Sequence, residues 1–342
     1  MESEKRELWI DNLRALGVIG VITIHVSGSL VYQYAKVDMS FWWIGNFYDS
    51  LVRFSVPVFG MIMGATILRK EYTLTHFYLK RGSRLIPPFL FWAFVYLTYN
   101  YALRYWHGIP VSMVDTAHWI WVQLSNGVSV HFWFVYLTLE IYLLLPFMKL
   151  AMIRFNNRGI LVLLIFWFVC LVVKFFAPST FIPDNHFTYL AFFLGYPLLG
   201  YFLATIDTKS NIIALAVGVV GIFITAAGTY YQTLSSGFFT EGYYSFLSPQ
   251  VALVASSVFL LVKRKWNVNN KINIISNPIA KFSYGIYLVH ILVLWLLGLI
   301  GISWRFIHPI WGVLFTSGTC LLLSIFIIFV VQKLPYGKYF SG

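Results

Sequence analysis

Apolar runs of about 20 residues recur along the whole chain, separated by short polar or basic stretches. They predict ten membrane-spanning helices, at about 8–31, 41–68, 85–105, 131–153, 159–176, 187–205, 211–229, 243–263, 279–300 and 309–332. Each can cross roughly 30 Å of hydrocarbon at about 1.5 Å per residue. The sixth and seventh are the least sharply bounded. The stretch 115–125, DTAHWIWVQLS, is too short to span and is expected on or just within the outer face. That the runs are continuous and do not alternate argues against a β-barrel. The first run is a full span that carries charges and has no small-residue cleavage site, so it reads as a retained helix. Helix-breaking signals occur in VPVFGMIMG and LIPPF but do not recur at matching positions in two halves, which disfavours an inverted-repeat transporter. The expectation is an all-α polytopic membrane protein forming one domain over 1–342.

Composition agrees: 59% of the 342 residues are hydrophobic, 11% are charged and the mean hydropathy is +0.76, where soluble domains carry about 25% charge. The net charge of +12 is spread over the inter-span segments, so lipid headgroups and topology account for it better than nucleic acid does. With the N-terminus inside, Lys5, Arg6, Arg69, Lys70, Lys80, Arg81, Arg84, Lys149, Arg154, Arg158 and Lys209 are cytoplasmic. Lys263, Arg264, Lys265, Lys271, Lys281, Lys333 and Lys338 join them, leaving only Lys36, Arg104, Lys174 and Arg305 outside and Arg14 and Arg53 in the membrane. Both termini are therefore expected in the cytoplasm. Cys170 and Cys320 both lie in apolar spans, which argues against a structural disulfide and leaves too few thiols for a metal cluster.

The first span, WIDNLRALGVIGVITIHVSG, holds Asp11, Arg14 and His25. Each ionisable group in a bilayer costs at least ~2.5–3.5 kcal/mol at mid-span, so such a group points to function. Asp11 and Arg14 are one turn apart and can pair; the plainer reading is an ion pair that snorkels to the inner headgroups. His25 lies about 16 Å further along the helix, too deep to snorkel. A neutral imidazole there can activate a hydroxyl or carry an acyl group, and the sequence leaves both open. The plainer reading is a core histidine bonded to a neighbouring helix.

The basic segment RKEYTLTHFYLKRGSRLIPPF places Arg81 and Arg84 three residues apart, on one face if helical, a pair suited to phosphate. Ordinary inner-loop charge is the alternative. Pro87 and Pro88 are expected to begin the third span. Glu140, near mid-depth in HFWFVYLTLEIYLLLP, needs a partner, with Arg53 or His290 available; it is either catalytic or an interhelical pair. His131 and Trp133 are expected at the outer end, where an aromatic belt alone explains the tryptophan and a His–Trp pair would suit a sugar. In NPIAKFSYGIYLVHILVLWLLG, Tyr284, Tyr287 and His290 fall at three-residue steps and form one polar stripe, next to Ser283. That stripe should face the bundle interior or a wet cavity.

Together DNLRALGVIGVITIH, VRFSVPVFGMIMG, KRGSRLIPPF, HFWFVYLTLEIYLLLP and FSYGIYLVH resemble the integral membrane acyltransferase family 3. The likeness is closest to its short single-domain members that O-acetylate bacterial surface glycans, and it runs from about residue 8 to the LPYGKYFSG tail. The resemblance implies transfer of an acetyl or similar acyl group from cytoplasmic acetyl-CoA or another acyl-CoA to a hydroxyl of a surface or lipid-linked glycan. No metal is called for. It implies His25 as the catalytic histidine and Arg14, Arg81 and Arg84 as essential or donor-side basic residues, in a multi-pass protein of the bacterial cytoplasmic (inner) membrane. Glu140 is carried as a catalytic candidate, His131 and Trp133 as acceptor-side residues, and Asp11, Arg53, Tyr284, Tyr287 and His290 as supporting polar residues. Family members often have Ser-Gly where this chain has Met63-Gly64; Thr66 could fill that place. The competing reading is an exporter or flippase of polysaccharide or lipid-linked sugar, which would need a continuous polar pathway but neither His25 nor a phosphate site.

Overall fold

The computed structural model describes residues 7–108, 113–177, 181–207, 210–265 and 270–342. Lys5, Arg6 and Lys209, counted above as inner charges, lie outside the described residues, as do the side chains of Lys265 and Lys271. The described residues build helices joined by turns. In chain order these are α1 (Leu8–Val31), α2 (Met39–Val52), α3 (Ser55–Met63), α4 (Leu74–Trp106), α5 (Met113–Asn126), α6 (Trp133–Met152) and α7 (Asn157–Phe176). The second half adds α8 (His186–Phe193), α9 (Gly195–Thr205), α10 (Asn211–Ser236), α11 (Pro249–Lys265), α12 (Asn270–Lys281), α13 (Ser283–Leu299) and α14 (Pro309–Lys333).

Eight helical stretches among the described residues are long and apolar enough to cross a membrane, and nine if α12 and α13, bent by 79° at their junction, form one broken span. The chain is a multi-pass membrane protein. The third expected span, 85–105, is helical but falls short of that apolarity. Pro87, Pro88, Tyr96, Tyr99, Asn100, Tyr101 and Arg104 dilute it. The basic segment before it is also not a loop. From Leu74 on it is the first third of α4, a single 33-residue helix with both prolines in its interior, so they do not mark its entry. The second span does break as VPVFGMIMG suggested. α2 stops at Arg53, α3 follows, and a π-helical turn at Gly64–Leu68 completes it. Residues 115–125 lie within the separate helix α5.

Hydropathy and burial run in opposite directions. In α7 the most apolar stretch has mean hydropathy 2.8 and is 17% buried; in α1 it is 1.6 and 61% buried. Lipid rewards apolar surface, so the most hydrophobic helices stand at the periphery and the helix with ionisable groups is enclosed. α1 is the hub, packed against α2, α3, α11, α12, α13 and α14. Small residues set the close contacts elsewhere: a Cβ at Gly64 would collide with the Pro197 carbonyl, and one at Gly200 with the Met61 carbonyl. The second span and α9 therefore touch backbone to backbone, as small residues permit in membranes.

Candidate active site

One end of the bundle encloses a cavity of about 620 Å³. α1 contributes Arg14; α4 contributes Arg81, Ser83, Arg84, Leu85 and Pro88; the second span contributes Phe59, Ile62, Met63, Thr66 and Ile67. Phe134, Val135, Thr138 and Tyr142 of α6 form another wall, and the α12–α13 bend brings Lys281, Ser283, Tyr284 and Tyr287. Lys338 and Tyr339 close it from the segment after α14. Among the described residues, five cationic side chains line the space and no aspartate or glutamate does.

The cations differ in how they are held. Arg14 donates from Nη1 to Oδ1 of the buried Asp11 at 2.9 Å, the one-turn pair expected from the sequence. Arg81 and Arg84 share a face because α4 is already helical there. The Arg81 guanidinium lies 5.6 Å from the Tyr142 ring centre and 5.9 Å from that of Phe77. Arg84 has no hydrogen bond or ion pair among the described residues and is exposed. Thr66, in the π-helical turn, reaches the cavity with its hydroxyl donated to the Ile62 carbonyl at 2.7 Å. It therefore stands in the wall with Met63.

Deeper in, the polar stripe of α13 faces inward as expected. Tyr284 donates to the Leu85 carbonyl at 2.8 Å, and Tyr287 donates to the His131 carbonyl. Behind Tyr287 three imidazoles meet: His290 lies 5.2 Å from His25 and 4.9 Å from His131, and 5.7 Å from the Tyr287 ring, centre to centre. His25 is half-buried, its ring is not hydrogen-bonded among the described residues, and it does not line the cationic cavity. His290 is fully buried.

Several expected placements differ. His131 is only 2% exposed and lies in the bundle. Its Nδ1 accepts from Ser129 Oγ at 3.0 Å and its Nε2 donates to the Leu288 carbonyl at 3.3 Å, so the outer His–Trp pair does not form. Trp133 remains exposed, stacked on Phe246 at 5.9 Å and edge-on to Tyr189. Glu140 is paired with His186 at 2.7 Å, not with Arg53 or His290, and is not part of the cavity or the histidine cluster. Arg53 instead lies 2.6 Å from Asp49, 4.2 Å from the Tyr244 ring centre, and within electrostatic reach of His25. The Asp49 contact is ionic and lacks good hydrogen-bond geometry.

Sequence reasoning passed over Lys281, Lys338, Asp49, Asn46 and Tyr244. Extending the α13 stripe one three-residue step back reaches Lys281, and the i,i+4 spacing of Asp49 to Arg53 points to that pair. Asn46 is a buried hub, bonded to the Ala226 carbonyl at 3.0 Å and to the Tyr244 hydroxyl at 2.6 Å. Among the described residues no set of three His, Cys, Asp or Glu side chains is placed to hold a metal ion.

The family model described as "Acyltransferase domain" matches residues 7–329, nearly the whole chain. This chain belongs to acyltransferase family 3. It is a membrane acyltransferase, and all the helices that build the cationic cavity and the histidine cluster fall largely within the matched range. No curated protein and no solved structure matches it. In this acyltransferase, Lys338 and Tyr339 are the cavity residues contributed from beyond the family match, together with the terminal Gly342.

Proposed function

We propose that this acyltransferase moves an acetyl or similar short acyl group from acyl-CoA to a hydroxyl of a surface or lipid-linked glycan, with His25 as general base or transient acyl carrier. The observation that carries the reading is the cavity lined by Arg14, Arg81, Arg84, Lys281 and Lys338, with no carboxylate side chain among the described residues. Coenzyme A bears a diphosphate and a 3′-phosphate, and arginine grips such groups bidentately while lysine adds point charge. The phosphates sit among these cations. The pantetheine arm runs inward between Phe59, Phe134 and Tyr287, towards His25 about 16 Å along α1 from Arg14. The positive-inside charge pattern opens this cavity to the cytoplasm of a bacterial inner membrane, where acyl-CoA resides.

The glycan hydroxyl approaches His25 from a different side, since the accessible part of His25 does not line the cationic cavity. The exposed Trp133, backed by Phe246, offers a flat apolar face for a sugar ring on that route. As the hydroxyl oxygen attacks the thioester carbonyl, its proton passes to His25, the new C–O bond forms and the C–S bond breaks. His25 then returns the proton to the departing thiolate, so ester and free thiol leave. In the alternative sequence the acyl group rests on an imidazole nitrogen first.

The test is transfer of radiolabel from acetyl-CoA to a membrane fraction of lipid-linked glycans by the purified protein and by His25→Ala. Label in glycan with the wild type alone is the expected result. Glycan movement across vesicles without label transfer, unaffected in His25→Ala, would establish the exporter reading instead.

A further inference from the structure

His290 is a buried histidine with one nitrogen committed and the other idle. Its Nδ1 lies 2.6 Å from the backbone carbonyl of Tyr287. A carbonyl can only accept, so Nδ1 carries the proton and the neutral ring keeps its lone pair at Nε2. Nε2 is buried and has no hydrogen-bond partner among the described residues. Buried acceptors are rarely left unpaired, so one that is calls for a physical explanation, a catalytic role among them. The neighbouring His131 cannot be that partner, because both its nitrogens are already bonded to Ser129 and Leu288. The remaining imidazole is His25, 5.2 Å away between ring centres and tilted by 44°. Two imidazoles joined by one N–H···N bond of about 3 Å have centres roughly 5 Å apart. The 5.2 Å separation of the His25 and His290 ring centres matches that length.

We infer that His290 is the positioning residue of the transfer centre: its Nε2 accepts a hydrogen bond from a ring N–H of His25. This rests on the reading of His25 as the centre. The bond selects one tautomer of His25 and leaves the opposite nitrogen with its lone pair, free for the glycan hydroxyl. When His25 takes the hydroxyl proton, the imidazolium donates more strongly to Nε2, and when it passes the proton to the coenzyme A thiolate the bond relaxes. A neutral imidazole thus does what an orienting carboxylate does in other base-assisted acyl transfers, without placing a charge in the membrane interior. The carbonyl of Tyr287 and the Tyr287 ring, which lines the donor cavity on its other side, hold His290 in register with the incoming thioester.

The test compares His290→Leu, His290→Gln and His25→Ala in the full chain. Leucine removes the acceptor; glutamine can restore one with its side-chain carbonyl. With acetyl-CoA as donor and the lipid-linked glycan fraction as acceptor, His290→Leu should lower kcat about 100-fold with the donor KM unchanged. His290→Gln should recover most of that loss. Nitrogen-15 spectra of histidine-labelled protein, with His25 assigned by its loss in His25→Ala, supply a readout that needs no turnover. His25 should show one tautomer in the wild type and an exchanging mixture in His290→Leu. An unchanged His25 tautomer in His290→Leu, or full kcat in that variant while His25→Ala is inactive, overturns the positioning role alone. Full turnover by His25→Ala overturns the reading beneath it.

Discussion

Arg84→Gln removes one of the five cations that line the cavity and leaves its walls intact, because Arg84 is exposed and makes no hydrogen bond or ion pair among the described residues. A unit charge about 4 Å from a phosphate is worth ~4 kcal/mol at an effective dielectric near 20. Solvent reaching Arg84 screens part of that, and net hydrogen bonds to charged groups contribute ~1.5–3 kcal/mol. At about 1.4 kcal/mol per decade the affinity for acetyl-CoA should fall at least 10-fold, and no more than ~150-fold. In the proposed donor site Arg14, Arg81, Lys281 and Lys338 would remain around the phosphates, which favours the lower end. Calorimetric titration of the detergent-solubilised protein with acetyl-CoA and with S-acetylpantetheine, at two salt concentrations, measures this. Only acetyl-CoA should bind more weakly and with a reduced salt dependence, because S-acetylpantetheine carries no phosphate. Wild-type affinity for acetyl-CoA, or an equal loss for both ligands, would refute the phosphate role of Arg84.

Lys281→Gln should likewise weaken acetyl-CoA and spare S-acetylpantetheine in the same titration, since Lys281 lines the same cavity. Glu140→Gln should leave label transfer within about twofold and stability within ~1 kcal/mol, as expected for a partly exposed pair with His186; a collapse of turnover would return Glu140 to the catalytic set. Asp49→Asn leaves the largely buried Arg53 charge without its counter-ion and should cost ~3–5 kcal/mol. It should lower the thermal midpoint far more than Arg53→Met and Asp49→Leu combined. Gly200→Ala forces α9 off the second span, where Met63, Thr66 and Ile67 line the cavity. A stability loss of ~1–3 kcal/mol together with weaker donor binding is expected, and an unperturbed variant would show that the two helices can separate freely.

The sequence by itself determined the class of the protein. Apolar runs of membrane length, each needing only its own backbone to satisfy its hydrogen bonds, leave an all-helical bundle as the available architecture. Charged and imidazole side chains placed inside such runs mark their helices as interior, which is why α1 could be placed inside the bundle before its neighbours were known. Helical spacing likewise made the Asp11–Arg14 pair, the shared face of Arg81 and Arg84, and the inward stripe of Tyr284, Tyr287 and His290 legible.

The tertiary structure decided partners. Glu140 had two candidate cations by depth alone, and the packing gave it neither, because the nearest side chain across the gap belongs to His186. His131 read as an outer-rim group beside Trp133, but its ring turned inward and is held by Ser129 and Leu288. The basic segment read as a loop, yet α4 continues through it, and Pro87 and Pro88 do not stop that helix. Periodicity along one helix says which residues share a face; which helix that face meets depends on crossing angles and small-residue contacts such as Gly64 against Pro197. The five-cation cavity, drawn from α1, α4, α12 and the segment after α14, exists only once those crossings are made.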